Sequence, residues 1–203
     1  MFTGIVERLG TVRSAVDRSS TRRFTIECGG LAGELALGDS VAVDGACFTV
    51  AALHDDAFDV DVIGTSLDRT IASGYGEGTV VNLERALQMT GRIDGHLVQG
   101  HVDGIGHLER YEKDGEFWRL EFELPEEVAA LTVPRGSITL NGVSLTVAEM
   151  PKGARCVVGL IPFTYEHTNL GALRPGAPVN VEGDLIGKYV GKILAARSEE
   201  TSE

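Results

Sequence analysis

The chain has 203 residues, a formal net charge of -12 and a sequence pI near 4.8. An acidic surface repels phosphate backbones, which argues against nucleic acid as a partner. No apolar run is long enough to span a bilayer, so no membrane partner is expected. The start, Met1-Phe-Thr-Gly-Ile-Val-Glu, lacks the basic-then-apolar order of a signal peptide.

Hydrophobic residues make up 43% of the chain, enough for a folded core. The cysteines Cys28, Cys47 and Cys156 show no CxxC spacing. They fit a reducing cytoplasm and suggest neither a disulfide scaffold nor a zinc site. Glycine-containing turn pairs such as Gly29-Gly30, Asp44-Gly45, Asn141-Gly142 and Pro175-Gly176 separate short runs rich in Val, Ile, Thr and Phe. That pattern predicts an all-β sandwich or barrel.

In chain order, strands are expected near Gly4–Val16, Thr21–Glu27, Ser40–Val43, Phe48–Leu53, Ala57–Ile63 and Val80–Leu83. Helical turns are expected near Leu31–Leu35 and Ser66–Thr70. Leu87–Asp94 reads as a linker. A second set of strands follows near Leu97–Tyr111, Trp118–Leu124, Ser137–Leu140, Leu145–Glu149, Arg155–Leu160 and Val179–Val181. Helical turns are expected here at Pro125–Leu131 and Thr164–Leu170. Beyond Asp184, a candidate N-cap, residues Leu185, Ile186, Tyr189, Val190, Ile193 and Leu194 recur at helical spacing. This helix either packs on its own barrel or joins subunits. Ser198–Glu203 reads as a solvated acidic tail.

The two sets of strands are copies. Gly4-Ile-Val-Glu-Arg-Leu-Gly10 answers Gly100-His-Val-Asp-Gly-Ile-Gly106. Ser40–Val50 answers Ser137–Val147, Ser66–Thr70 answers Thr164–Thr168, and Val81–Glu84 answers Val179–Glu182. The landmarks keep their order at an offset of 96 to 98 residues. The expected organisation is a barrel at 1–86, a linker at 87–94, a second barrel at 95–184, and a helix with its tail at 185–203. Six short antiparallel strands per copy suit a small closed Greek-key barrel.

The duplicated hairpin carries the chemical signal. Each copy places a small polar residue three positions after the Asx, Cys47 and Ser144, and a threonine two further on, Thr49 and Thr146. Either the small residue simply fills a strand start, or the two copies form two like sites at barrel mouths. His96 and His101 lie five apart, on opposite faces of a regular strand, so they would not share a metal. His101 answers Ile5, which makes a histidine at that position particular to the second copy. Gly74-Tyr-Gly-Glu-Gly78 opens no helix and is not a phosphate loop.

Met1–Glu7, Gly95-His-Leu-Val-Gln-Gly-His-Val-Asp-Gly104, Asn141–Val147, Leu160-Ile-Pro-Phe-Thr164 and Lys188-Tyr-Val190 together resemble the riboflavin synthase family, alpha-chain type. The resemblance spans residues 1 to about 197. It implies two six-stranded barrels, a C-terminal helix, a homotrimer and no cofactor, and leaves open an enclosing lumazine synthase shell. The implied reaction is a four-carbon exchange between two molecules of 6,7-dimethyl-8-ribityllumazine, giving riboflavin and 5-amino-6-ribitylaminouracil. The implied active site lies between the first barrel of one subunit and the second barrel of its neighbour.

Carried over by position, the resemblance implies catalytic roles for His101, Cys47, Ser144 and Asp184. It implies substrate contacts from Phe2, Thr3, Gly4, Val6, Ser40, Cys47, Thr49, Ile63, Ser66, His101, Val102, Arg135, Asn141, Ser144, Thr146, Ile161, Phe163 and Thr164. The first residues, Met1-Phe2-Thr3, would reach over the site. His101 would transfer a proton and Cys47, Ser144 or a bound water would be the nucleophile. The first copy departs from the family pattern at Asp44-Gly45, Thr65-Ser66-Leu67 and Ile71-Ala-Ser73. A non-catalytic lumazine- or flavin-binding relative is therefore the alternative. A flavin reductase barrel is disfavoured because no nucleotide-binding half follows.

Overall fold

A computed structural model describes residues 1–200. It contains two closed antiparallel barrels of six strands each. The first is built from β1 (Arg8–Asp17), β2 (Thr21–Glu27), β3 (Ser40–Val43), β4 (Ala46–Leu53), β5 (Ala57–Ile63) and β6 (Val80–Arg85), in the spatial order β1-β2-β5-β4-β3-β6. The second repeats this with β7 (Gly104–Asp114), β8 (Phe117–Glu123), β9 (Ser137–Leu140), β10 (Val143–Glu149), β11 (Arg155–Leu160) and β12 (Pro178–Gly183). Alternating β-branched and aromatic residues fill each interior. Phe24, Phe58, Val60 and Leu83 sit at the centre of one, and Phe122, Ile138, Val158 and Val181 at the centre of the other. Closure removes the free strand edges that six short strands would otherwise expose.

The expected helical turns are present as a 3-10 turn at Gly29–Glu34 and short helices α1 (Gly64–Arg69), α2 (Glu126–Ala129) and α3 (Pro162–His167). The last helix, α4 (Leu185–Glu200), runs past its expected end at Arg197. Asp184 caps it, accepting the Ile186 N–H at 2.9 Å. Of the acidic tail expected at Ser198–Glu203, the first three residues instead continue α4, and 201–203 lie outside the described residues. Among those residues no helix is long and apolar enough to cross a membrane.

The structure corrects the start of each copy. The first strands begin at Arg8 and Gly104, not at Gly4 and Leu97. The preceding residues cross to the opposite barrel. Gly4 C=O accepts the Ser144 N–H at 2.7 Å, and Gly100 C=O accepts the Cys47 N–H at 2.9 Å. Val6 packs on the second core and Val102 on the first. Two buried carboxylates secure the exchange. Glu84 accepts the N–H groups of Thr3 and Gly4, while Glu182 accepts those of Gln99 and Gly100. Burial raises the pKa of both carboxylates, and these hydrogen bonds oppose the rise.

The barrels meet where the two hairpin turns lie back to back. Asp44 and Gly45 have φ of 46° and 78°, and Asn141 and Gly142 have 45° and 77°, the signature of two-residue type I′ turns. A Cβ on Gly45 would lie 2.6 Å from the Gly142 nitrogen, and one on Gly142 equally close to the Gly45 nitrogen. Each turn carbonyl accepts a side-chain N–H from the other barrel. Asn180 donates to Asp44 and Asn82 to Asn141, both at 2.8 Å.

Candidate functional site

The exchanged segments make two chemically different places. Strand β4 leaves its turn two residues earlier than expected, which sets Cys47 on the strand beside Gly100. A cavity of about 350 Å³ opens here. It is lined by Cys47, Thr65, Ser66, Arg69 and Thr70 of the first copy and by Gly100, His101 and Val102 of the second. His101 therefore serves the first barrel, although its sequence belongs to the second copy. The histidine-bearing segment is not a strand, so strand alternation does not govern His96 and His101.

The corresponding place on the second barrel holds Ser144. Its Oγ lies 2.7 Å from His96 Nδ1, and His96 Nε2 lies 3.2 Å from Thr139 Oγ1. Burial lowers the His96 pKa, and the Asp184 charge opposes that shift. The burial favours the neutral form of the ring, which has a hydroxyl at each nitrogen. This arrangement can take a proton from Ser144 or from a water bound beside it. Of the four residues expected to be catalytic, Cys47 and His101 line one cavity, while Ser144 bonds to His96 and Asp184 acts on that ring through its charge. His96, Arg69, Thr65 and Thr70 were not selected from the sequence. The signal for His96 was its place in Gly95-His, and that for Arg69 its place on the turn carrying Ser66.

The remaining expected residues fall as follows. Phe2 does not reach over a site; it is fully buried with Ala42, Val98 and the side of Cys47, supporting the cavity from behind. Asn141 is buried too, and its amide is committed to the Asn180 N–H and to Asn169. Ser40 lies away from the Cys47 cavity, on a separate cleft of about 560 Å³ shared with Thr3, Glu84 and the linker. Gly4 backs Ser144, and Val6 lies against the second core. Thr49 and Thr146 are exposed strand residues paired with Ser40 and Ser137. Ile63 and Ile161 are the exposed N-caps of α1 and α3. Phe163 is exposed on α3 beside the half-buried Thr164. Arg135 is exposed, with its N–H donating to Val147 C=O. Among the described residues no group of three or more His, Cys, Asp or Glu is placed to hold a metal ion.

The model of the lumazine binding domain matches twice, at residues 3–86 and 99–184. The riboflavin synthase of Bacillus amyloliquefaciens is 38% identical over 99% of this chain and 93% of its own length. That of Mycobacterium tuberculosis strain H37Rv is 40% identical over 96% of this chain and 98% of its own. The chain belongs to the riboflavin synthase family. A solved structure of LumP complexed with riboflavin shares the fold, with a TM-score of 0.84 and 22% identity over 90% of this chain and 99% of that one. LumP complexed with 6,7-dimethyl-8-(1'-D-ribityl) lumazine gives a TM-score of 0.81 at 22% identity. Each of the two lumazine binding domains of this chain borrows a wall from the other.

Proposed function

We propose that this chain catalyses the riboflavin synthase reaction, converting two molecules of 6,7-dimethyl-8-ribityllumazine into riboflavin and 5-amino-6-ribitylaminouracil. The carrying observation is the duplicated domain with an unlike pair of polar groups in its two copies, Cys47 with His101 and Ser144 with His96. Two like pockets suit two identical substrates, and unlike groups suit a donor and an acceptor. The products together contain every atom of the two substrates, so the exchange needs no external oxidant. Holding both rings in contact contributes about 7–11 kcal/mol through orientation.

The Ser144–His96 pair activates the nucleophile, Ser144 itself or a water beside it, that adds at C7 of one lumazine. Asp184 supports the imidazole. His101 moves the proton of the C7 methyl of the other lumazine, and Cys47 lies at the same ring. Thr49 and Thr146 meet ribityl hydroxyls or the pyrimidine edge. Ser66, Val102 and Ile63 line the first pocket, and Val6, Ile161, Phe163, Thr164 and Arg135 the second. Thr3, Gly4, Ser40 and the buried Phe2 and Asn141 shape the surroundings.

The working unit is a homotrimer in the cytoplasm, with the first barrel of one subunit facing the second barrel of the next. The apolar residues Ile186, Tyr189, Val190 and Ile193 of α4 are each at least half exposed, which supports that use. Substitution tests the site. Ser144→Ala should lower kcat about 100-fold, in the range of general acid–base contributions, while His54→Ala, an exposed residue beside Asp59, should not. Equal rates for the two variants would reject the placement. Lumazine bound without turnover by the unaltered chain would instead favour a non-catalytic binding protein.

A further inference from the structure

Glu7 and Asp103 hold the same position in the two exchanged segments. Each accepts a backbone N–H from the last strand of its own barrel or the residue ending it. Arg85 N–H donates to Glu7 at 2.7 Å, and Gly183 N–H donates to Asp103 at 2.9 Å. Each also meets a cation, but the cations come from different places. Glu7 pairs with the guanidinium of Arg85, on β6 of the same copy, at 2.8 Å. Asp103 pairs with Lys188 Nζ at 2.8 Å, and Lys188 stands on α4, which belongs to neither copy. Lys188 thus supplies from outside the repeat what Arg85 supplies from within it.

Lys188 has a second carboxylate in reach of its charge. Glu182 accepts the N–H groups of Gln99 and Gly100, and the fields of Lys188 and Asp103 act on it in opposite senses. The ammonium therefore touches Asp103 directly and acts on Glu182 through its charge, and these are the two carboxylates that fix residues 99–103. That stretch contains Gly100, His101 and Val102, the wall of the Cys47 cavity. The ion pair is only about one quarter exposed at either side chain, so water screens it weakly.

We propose that Lys188 is a positioning residue that couples helix α4 to the first-barrel cavity, pairing with Asp103 and offsetting its repulsion of Glu182, so that His101 and Val102 stay beside Cys47. The helix is thereby more than an assembly element: it braces the wall of a pocket in the barrel from which it is most distant in sequence. Removing the ammonium leaves the repulsion between the Asp103 and Glu182 charges uncompensated and lets the segment relax away from Cys47. The functional part rests on the reading of that cavity as a lumazine site; the structural coupling does not.

The test uses the full chain carrying Lys188→Met, which keeps the aliphatic stem, with Lys188→Arg as the conservative variant. A thiol-reactive disulfide probe reads the cavity wall directly, because Cys28 and Cys156 are buried in the two cores. Labelling of Cys47 should accelerate about tenfold in Lys188→Met, as expected for loss of one partner of a sheltered pair, and Lys188→Arg should restore it. Adding Asp103→Asn to Lys188→Met should bring labelling back towards the wild-type rate, since the repulsion is then relieved. The same Lys188→Met change should raise KM for the lumazine more than it lowers kcat. Unchanged Cys47 labelling in folded Lys188→Met overturns the proposal, whatever the activity does. Accelerated labelling in a chain whose unaltered form makes no riboflavin would uphold the coupling and reject the proposed function instead.

Discussion

Asp44→Asn gives the first turn the residue type its counterpart Asn141 already has. Asp44 is 1% exposed and accepts three hydrogen bonds: Asn82 N–H at 2.7 Å, Asn169 Nδ2–H at 2.8 Å and the Tyr75 hydroxyl at 2.7 Å. Burial pushes its pKa up to about 7 from the ordinary 3.8, and the three donors only partly offset that rise. Its ionisation in the folded chain is therefore costly. The folded pKa exceeds the unfolded one, so the group favours the fold fully below about pH 4, and the advantage is lost as pH rises through about 7. Over about three pH units, at about 1.4 kcal/mol each, the loss is about 4 kcal/mol. The substituted amide would not titrate. Its N–H2 group would face the Tyr75 hydroxyl, which can accept it as it accepts the O–H of the protonated carboxyl, while the second amide N–H is left buried without a partner at a cost of about 1–3 kcal/mol at every pH. Urea unfolding of both chains at about pH 5 and about pH 8 measures the balance. The stability of the variant relative to the unaltered chain should improve by about 3 kcal/mol between the two pH values. A difference of the same size at both would show that Asp44 is ionised in the fold throughout, and would refute the reasoning.

Three other outcomes are expected. Gly142→Ala should destabilise the chain by more than about 2 kcal/mol, because it adds a positive-φ penalty to a clash with the Gly45 backbone; unfolding midpoints check it, and a neutral change would mean the turns do not meet. Cys47 should react with a thiol reagent well before Cys28 and Cys156, whose thiol pKa values burial raises, that of Cys156 to about 12; bound lumazine should protect it, and equal labelling of all three would count against the cavity. Removal of residues 185–203 should give monomers in sedimentation that bind lumazine but turn over at least about 10-fold more slowly; a fully active monomer would reject the between-subunit site.

The fold was largely legible because its determinants are local. Alternation in Thr21–Glu27 and Ala57–Ile63 and the Asx-Gly turns specify strands and type I′ hairpins, and they do so twice. The exchange of the leading segments was not legible. Gly4 finds its hydrogen-bond partner at Ser144 and Gly100 at Cys47, and no neighbouring residue announces either. Without that exchange, His101 reads as a group of the second barrel, Phe2 as part of a segment reaching over the site and His96 as one of two alternating histidines. The cations have the same history. Arg85 and Lys188 do equivalent work in the two copies, but one lies inside the repeat and the other on α4, so aligning the copies cannot pair them. The Asp44–Tyr75 contact is similar: the departure from Asn was visible, and its partner 31 residues away was not.

The most direct measurement is a material balance with the purified chain and 6,7-dimethyl-8-ribityllumazine as sole reactant. Chromatographic quantification should find two lumazines consumed for each riboflavin formed, with one 5-amino-6-ribitylaminouracil released. Lumazine recovered unchanged from saturated protein, or riboflavin formed without the pyrimidine, would contradict the account.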